Sequence, residues 1–341
     1  MADCPCWADR SMVAYVGCYT DDMNPNGIHV ADVDPCTGEM GLLSSVRLPN
    51  AIYQAITPDR RFLVSCEQGG LAAFRIVGDD LVLSDRLPLC GQCLCHVSVM
   101  PNGSRVCWAD YLAGEAGSVG FDEGRFEQES LMRHRHDGSG PNLPRQATAH
   151  CHQAIPLPNG SGYVVVDLGL DRLSVYPNGW HSQTVLAGAG PRHLAFHPNG
   201  RFAFVASELG NLLSAYRLDE GHLFSLLSSV ATLPEGWMGA SSAAAVRVSE
   251  DGSKVYVSNR GHDSIAAFGF DQSSGMLEPL SFSPMPGKTP RDFVFLLGDR
   301  MALAVLEQSG SLVSLSCDSA TGRLIPLHRI DGLYRPSSVV V

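Results

Sequence analysis

Residues 193–205 read His193-Leu-Ala-Phe-His-Pro-Asn-Gly-Arg-Phe-Ala-Phe-Val205, a short alternating strand, a Pro-Asn-Gly turn and an aromatic strand that returns. The same phrase recurs as Tyr53-Gln-Ala-Ile-Thr-Pro-Asp-Arg-Arg-Phe-Leu-Val-Ser65, His96-Val-Ser-Val-Met-Pro-Asn-Gly-Ser-Arg-Val-Cys-Trp108 and His152-Gln-Ala-Ile-Pro-Leu-Pro-Asn-Gly-Ser-Gly-Tyr-Val-Val-Val166. It returns as Ala245-Val-Arg-Val-Ser-Glu-Asp-Gly-Ser-Lys-Val-Tyr-Val257 and, more loosely, as Asp292-Phe-Val-Phe-Leu-Leu-Gly-Asp-Arg-Met-Ala-Leu-Ala304. Pro58, Pro101, Pro158, Pro198, Glu250 and Leu297 mark the turns, 40 to 57 residues apart. That period is the length of one four-stranded propeller blade.

Third strands follow each copy, as in Leu213-Ser-Ala-Tyr-Arg-Leu218 and Ser264-Ile-Ala-Ala-Phe-Gly-Phe270, and a fourth comes after a Gly-containing turn. The chain ends supply the missing copy. Ala14-Tyr-Val-Gly-Cys-Tyr-Thr20 reads as a second strand with no first, and Arg335-Pro-Ser-Ser-Val-Val-Val341 as a first strand with no second. Sharing one blade between them closes the ring and removes the open sheet edges a linear array leaves. The expected fold is therefore all-β, a seven-bladed propeller of four-stranded antiparallel blades. A β-sandwich or solenoid has similar turn spacing but does not explain a split repeat. The expected domain spans 13–341, after an N-terminal extension of 1–12. No stretch sustains a helical apolar stripe over three turns.

With 35 Gly and 21 Pro in 341 residues, the composition fits many turns, and the length that otherwise suggests two domains is taken up by the repeats. Lys and Arg number 24 against 35 Asp and Glu, a formal net charge of −11 that argues against nucleic acid as a partner. No run nears the roughly 18 apolar residues of a membrane helix, and no basic-then-apolar leader opens the chain, so a soluble, cytoplasmic protein away from membranes is expected. Eleven cysteines in such a chain read as reduced thiols rather than a disulfide framework. A monomer or weak homodimer is expected.

If the Pro-Asn-Gly hairpins lie at the bottom of the blades, residues entering strand one and leaving strand two meet at the top rim near the axis. Asn50, His96, His152, Arg192 and Arg291 enter; Glu67, Asp110, Asp167, Glu208, Arg260 and Glu307 leave. A polar cleft follows, in which scarce His and Arg recur at equivalent positions.

Gly190-Pro-Arg-His, Leu233-Pro-Glu-Gly, Ser258-Asn-Arg-Gly-His-Asp-Ser-Ile and Gly287-Lys-Thr-Pro-Arg-Asp-Phe, within a likeness running from Tyr15-Val-Gly to Pro336, resemble the seven-bladed propeller lactonase family. That family includes the propeller-type 6-phosphogluconolactonases and the fungal carboxy-muconate lactonizing enzymes. The resemblance implies a cofactor-free site built on His152, Arg192, Glu208 and Arg260. It also implies a small anionic lactone as substrate, first of all 6-phosphogluconolactone of the oxidative pentose phosphate route. Gln153 stands where the family usually has Ser, and Cys66-Glu67-Gln68 where Asn-Glu is usual.

The residue types suit the chemistry. A neutral histidine can activate water, and guanidiniums stabilise a developing oxyanion and grip phosphate or carboxylate in a fork. His152 is the expected general base, or general acid in the lactonizing direction, with Glu208 orienting it or sharing the proton. Arg192, Arg260 and Arg291 would hold the anion, with Arg145, His96, His150, Glu67 and His262 as further substrate contacts. The competing readings are a cycloisomerase or hydrolase of another carboxylated lactone, and a propeller that binds without catalysis. The structural alternative for each is that these side chains merely tie blades together.

No metal is expected. Cys90-Gly-Gln-Cys93-Leu-Cys95-His96 lacks the second half of a zinc site, and His150-Cys151-His152 has no third ligand in view. The long Gly/Pro-rich insertion around His134-Arg-His136-Asp-Gly-Ser-Gly140, leading into Arg145, is expected to fold over the top face. No phosphate-cradling glycine loop points to a nucleotide.

Overall fold

A computed structural model describes residues 12–176 and 181–341. The expected extension lies outside the described residues except for Met12, and so do Cys4 and Cys6, the two thiols that could add ligands to the Cys90-Cys93-Cys95 stretch. Every described regular element is a strand.

Blade 1 takes β1 (Met12–Cys18), β2 (Asn26–Val33) and β3 (Met40–Arg47). Blade 2 is β4 (Gln54–Ile56), β5 (Phe62–Glu67), β6 (Gly70–Val77) and β7 (Asp80–Pro88); blade 3 is β8 (Leu94–Val99), β9 (Arg105–Asp110), β10 (Glu115–Asp122) and β11 (Arg125–Arg135). Blade 4 is β12 (Cys151–Pro156), β13 (Tyr163–Asp167), β14 (Arg172–Tyr176) and β15 (His181–Thr184); blade 5 is β16 (Pro191–Phe196), β17 (Phe202–Ser207), β18 (Leu212–Leu218) and β19 (Phe224–Ala231). Blade 6 is β20 (Ser242–Val248), β21 (Lys254–Arg260), β22 (Ser264–Asp271) and β23 (Met276–Pro284); blade 7 is β24 (Pro290–Leu296), β25 (Met301–Leu306), β26 (Ser311–Cys317) and β27 (Leu324–Asp331). The last strand, β28 (Pro336–Val340), adds to blade 1 in the order β28-β1-β2-β3, with Val16 opposite Val339. The split repeat thus closes the ring as its sequence requires.

First strands contact one another in turn, β4 to β8, β12, β16, β20, β24, β28 and back to β4, so they line the central axis. Apolar residues pack between blades rather than within one. Trp108 and Val119 of blade 3 meet Phe62 and Val64 of blade 2, and Phe204 of blade 5 meets Phe268 of blade 6. Blade 7 closes on blade 1 through Leu303, Val305, Val16 and Val339. A blade therefore has two apolar faces and needs both neighbours, which is why the ring must close.

The repeated turn owes its shape to one left-handed residue. Gly103, Gly160, Gly200 and Gly252 take φ between 69° and 75°, and each N–H returns to the carbonyl three residues back. In the first copy Arg60 occupies that position at φ 59°. The loose sixth copy departs more, with Leu297, Gly298 and Asp299 all at positive φ.

Candidate active site

One irregularity repeated from blade to blade builds the top of the channel. Pairing between first and second strands slips by one residue between Leu94 and His96, Cys151 and Gln153, Pro191 and His193, and Pro290 and Asp292. The extra residues are Cys95, His152, Arg192 and Arg291; Ser337 holds the same place between Pro336 and Ser338 in β28. A bulge re-aims the side chain it carries and breaks strict alternation. His152, Arg192 and Arg291 therefore share one ring position at the channel mouth.

Glu208, just beyond β17, is the centre of the charge cluster. Arg145 donates to its Oε1 at 2.6 Å, Arg260 Nη2 forms an ion pair with its Oε2 at 2.8 Å while donating to Ala243 O, and Arg192 Nε lies 3.3 Å from Oε2. Arg145 comes from the insertion before β12, which is tied down by buried Gln146 bonding to Leu168 O and Asp171. Burial works against the Glu208 charge, but Arg260 and Arg192 outweigh it and hold the carboxyl far below its usual range. Arg192 is 3% exposed; burial and the like charges of Arg260 and Arg291 pull its pKa down to about 9. Its Nε and Nη1, and Nε of Arg260, make no hydrogen bond with the protein. Buried guanidinium nitrogens in that condition favour an incoming anion.

His152 lies beside this cluster. Burial, reinforced by Arg192, pushes its pKa well below 6.5, so the ring is neutral. Its Nδ1 has no hydrogen-bond partner, and it meets Tyr111 and His193 edge-on at 5.6 and 5.4 Å. Below it His193, 1% exposed with neither ring nitrogen bonded, meets His96 at 5.6 Å, and His96 packs on Tyr53 at 4.3 Å. Burial also keeps His193 and His96 neutral, the latter with a pKa of about 3.

A model of the seven-bladed β-propeller lactonases matches residues 13–341. This chain belongs to that lactonase family. It is 36% identical over 333 residues to the 6-phosphogluconolactonase of Bacillus subtilis strain 168, covering 92% of this chain and 93% of that one. A protein of Lactobacillus plantarum superposes with a TM-score of 0.89 at 27% identity over 97% of this chain and 99% of its own. The periplasmic gluconolactonase of Pseudomonas aeruginosa shares the fold, with a TM-score of 0.88 at 24% identity over 97% and 99% of the two chains.

In this lactonase the sequence-derived residues separate into groups. His152, Arg192, Glu208, Arg260 and Arg145 are one cluster; Arg291 pairs with Glu307 at 2.9 Å. His150 stacks on Tyr111 at 4.2 Å and joins through that ring. His96 is not at the rim: it follows the bulged Cys95 and lies one layer down with His193, because alternation counted without the bulge places it one residue too high. Glu67 faces Arg86 at 3.6 Å, and His262 bonds Ser264 and meets Trp237 edge-on at 4.5 Å; neither touches the Glu208 cluster. Glu208 has arginine partners and no hydrogen bond to His152, so the expected orienting contact is absent among the described residues.

Asp110 and Asp167 leave their strands as expected but turn back on the backbone. Asp110 accepts from the N–H groups of Gln92, Cys93 and Ala113, and Asp167 from those of His150 and Leu170. Asn50 likewise exchanges bonds with Thr20. The residues that sequence reasoning missed include Tyr111, one position past Asp110, and His193, the neighbour of Arg192. Both are adjacent to residues on the rim, and only the bulge shows which neighbour faces inward.

Among the described residues His136, Cys151 and Asp167 bring three potential metal-ligand atoms within 4.8 Å. Both His136 nitrogens are already engaged, by Asp167 at 2.6 Å and the Tyr176 hydroxyl at 3.0 Å, and burial raises the Cys151 thiol pKa. This is a closed hydrogen-bonded group under the insertion. Cys90, Cys93 and Cys95 form no such metal-ligand group among the described residues, and the Cys95 thiol donates to the carbonyls of Cys151 and His152 at 3.5 and 3.3 Å.

Proposed function

We propose that this lactonase hydrolyses a small anionic sugar lactone, 6-phosphoglucono-1,5-lactone to 6-phosphogluconate, without a cofactor and in the cytoplasm. The observation that carries the reading is a neutral, buried His152 beside guanidiniums gathered on Glu208, with buried Arg192 nitrogens left for an anion. The relative named 6-phosphogluconolactonase supports the substrate. The absence of any disulfide among the described residues fits a reducing compartment.

In this reading His152 takes a proton from water as the water oxygen bonds to the lactone carbonyl carbon. Arg192 and Arg260 stabilise the negative charge that moves onto the carbonyl oxygen. As the tetrahedral intermediate collapses, the bond from that carbon to the ring oxygen breaks, and His152 returns the proton to the ring oxygen. Glu208 carries no proton. Its arginines keep it a carboxylate, and its work is to hold three flexible guanidiniums in one place.

Hydrolysis of freshly made 6-phosphogluconolactone should exceed the spontaneous rate and fall by roughly 10²–10⁴-fold in His152→Ala, with Arg192→Ala similarly impaired and both variants folded. Full activity in both sinks the site. Failure of the unaltered protein on phosphorylated and unphosphorylated lactones alike favours a propeller that only binds.

A further inference from the structure

A second charged corner lies beside the first and has a different construction. Arg291 donates from Nη1 to Glu307 Oε2 at 2.9 Å and from Nη2 to the Tyr19 hydroxyl at 3.0 Å. Arg335 donates to the other oxygen of the same carboxylate, from Nη2 at 2.6 Å and from Nε at 3.1 Å, and lies over the Tyr19 ring at 4.4 Å. The Glu307 side chain is 8% exposed and that of Arg335 is 51% exposed. Two guanidiniums on one carboxylate leave the corner net positive, and Arg335 Nη1 makes no hydrogen bond among the described residues.

The backbone of Arg335 is strained to hold it there. Its φ is 45°, a left-handed conformation for a non-glycine residue, and it precedes Pro336, where an extended residue is the rule. Tyr19 fastens this turn by donating its N–H to Arg335 O at 3.2 Å. Tying blades together does not call for a second, half-open arginine in a costly conformation; Arg291 already joins Glu307 to Tyr19 of blade 1. A cleft of ≈ 430 Å³ has in its wall Arg260, which pairs with Glu208, and Glu307, the carboxylate of this corner, together with Ser241, Asp263, Thr289 and Gln308. A ligand lying in it would present one end to Arg260 and the other to the Glu307 corner.

We propose that Arg335, with Arg291 and the Tyr19 hydroxyl, forms a second anion subsite that takes the phosphate of the substrate while the Glu208 corner handles the lactone carbonyl. Arg335 is then the residue that sets preference for phosphorylated over unphosphorylated lactones. The inference rests on the lactonase reading for the carbonyl end, but the phosphate end can be tested without turnover. A planar fork suits phosphate in a way an ammonium does not, so Lys should replace Arg335 only in part.

The test pairs kinetics with direct binding in Arg335→Gln and Arg335→Lys, with Arg61→Gln as control, since Arg61 pairs with Glu123 on the exposed hairpin side of the ring. The ratio of kcat/KM for 6-phosphogluconolactone to that for gluconolactone should fall at least tenfold in Arg335→Gln, mainly through KM, and less in Arg335→Lys; Arg61→Gln should keep the ratio. Inorganic phosphate, measured by calorimetry, should bind the unaltered protein at millimolar levels and Arg335→Gln at least tenfold more weakly. An unchanged ratio with unchanged phosphate binding overturns the subsite, as does an equal loss on both lactones. If the unaltered protein hydrolyses neither lactone, the lactonase reading fails, and loss of phosphate binding in Arg335→Gln alone still upholds the subsite, whereas equal binding in both proteins overturns it.

Discussion

Arg260, at the end of the second strand of blade 6, forms an ion pair with Glu208, at the same corner of blade 5, at 2.8 Å. Two equivalent corners of neighbouring blades are thus joined by a buried ion pair, and the same carboxylate draws in Arg192 and Arg145. Structure and site share one contact.

Removing that carboxylate should therefore cost both stability and activity. Glu208→Ala leaves Arg192 and Arg260 buried without their counter-ion, a loss of about 3 kcal/mol in urea unfolding. Arg145→Ala removes a half-exposed partner and should stay within about 1 kcal/mol. Equal stability losses in the two variants would mean that Glu208 is not the organising group.

The pH dependence of turnover should carry the mark of a buried histidine. His152 works as a base in its neutral form, and its folded pKa lies well below 6.5, so its acid limb moves to lower pH. A profile of kcat/KM should run through pH 6.5 without falling. An acid limb centred near 6.5 would exclude His152, as it sits here, from the role of base.

Stability should fall earlier on the acid side than carboxylates alone require. In the unfolded chain His96, His152 and His193 bind protons near 6.5; folded, burial holds all three well below that. The unfolded state then carries more protons from about pH 6.5 down, so stability is lost as pH falls, by up to about 1.4 kcal/mol per pH unit for each group. Glu208, with its lowered pKa, adds a further loss below about 4.5. Melting temperature should decline between pH 7.5 and 5, and His193→Phe should flatten that decline; a level curve in the unaltered protein would contradict the neutral histidine layer.

Ending the chain at Arg335 should abolish cooperative folding. The deletion takes away β28, bares the edge of β1 and removes Val339 from the seam between blades 7 and 1. Far-UV circular dichroism across a urea titration should show a broad transition at lower denaturant. A sharp transition at the original midpoint would mean that the ring does not depend on its closing strand.

The repeat, its split copy and the rim residues His152, Arg192, Glu208 and Arg260 were all legible along the chain. Each is a local pattern recurring at a fixed period, and the turn residues Pro, Asn and Gly mark the phase. His96 was misplaced because period-2 counting carries no information about a bulge, and Asp110 because a carboxylate at a strand end can cap backbone N–H groups as readily as face a channel. Arg335 reads in the sequence only as the start of the closing strand, because its partners Tyr19 and Glu307 lie far off along the chain.

From the sequence by itself come the number of blades, the way the ring closes and the net charge of −11. Periodic strand and turn preferences and net charge do not depend on how blades meet. Which arginines share Glu208 and which share Glu307, and which histidines are buried and neutral, was decided by the tertiary structure alone. Those properties arise from the bulges and from the approach of one blade to the next, and burial and ion pairing act through distance in space rather than along the chain.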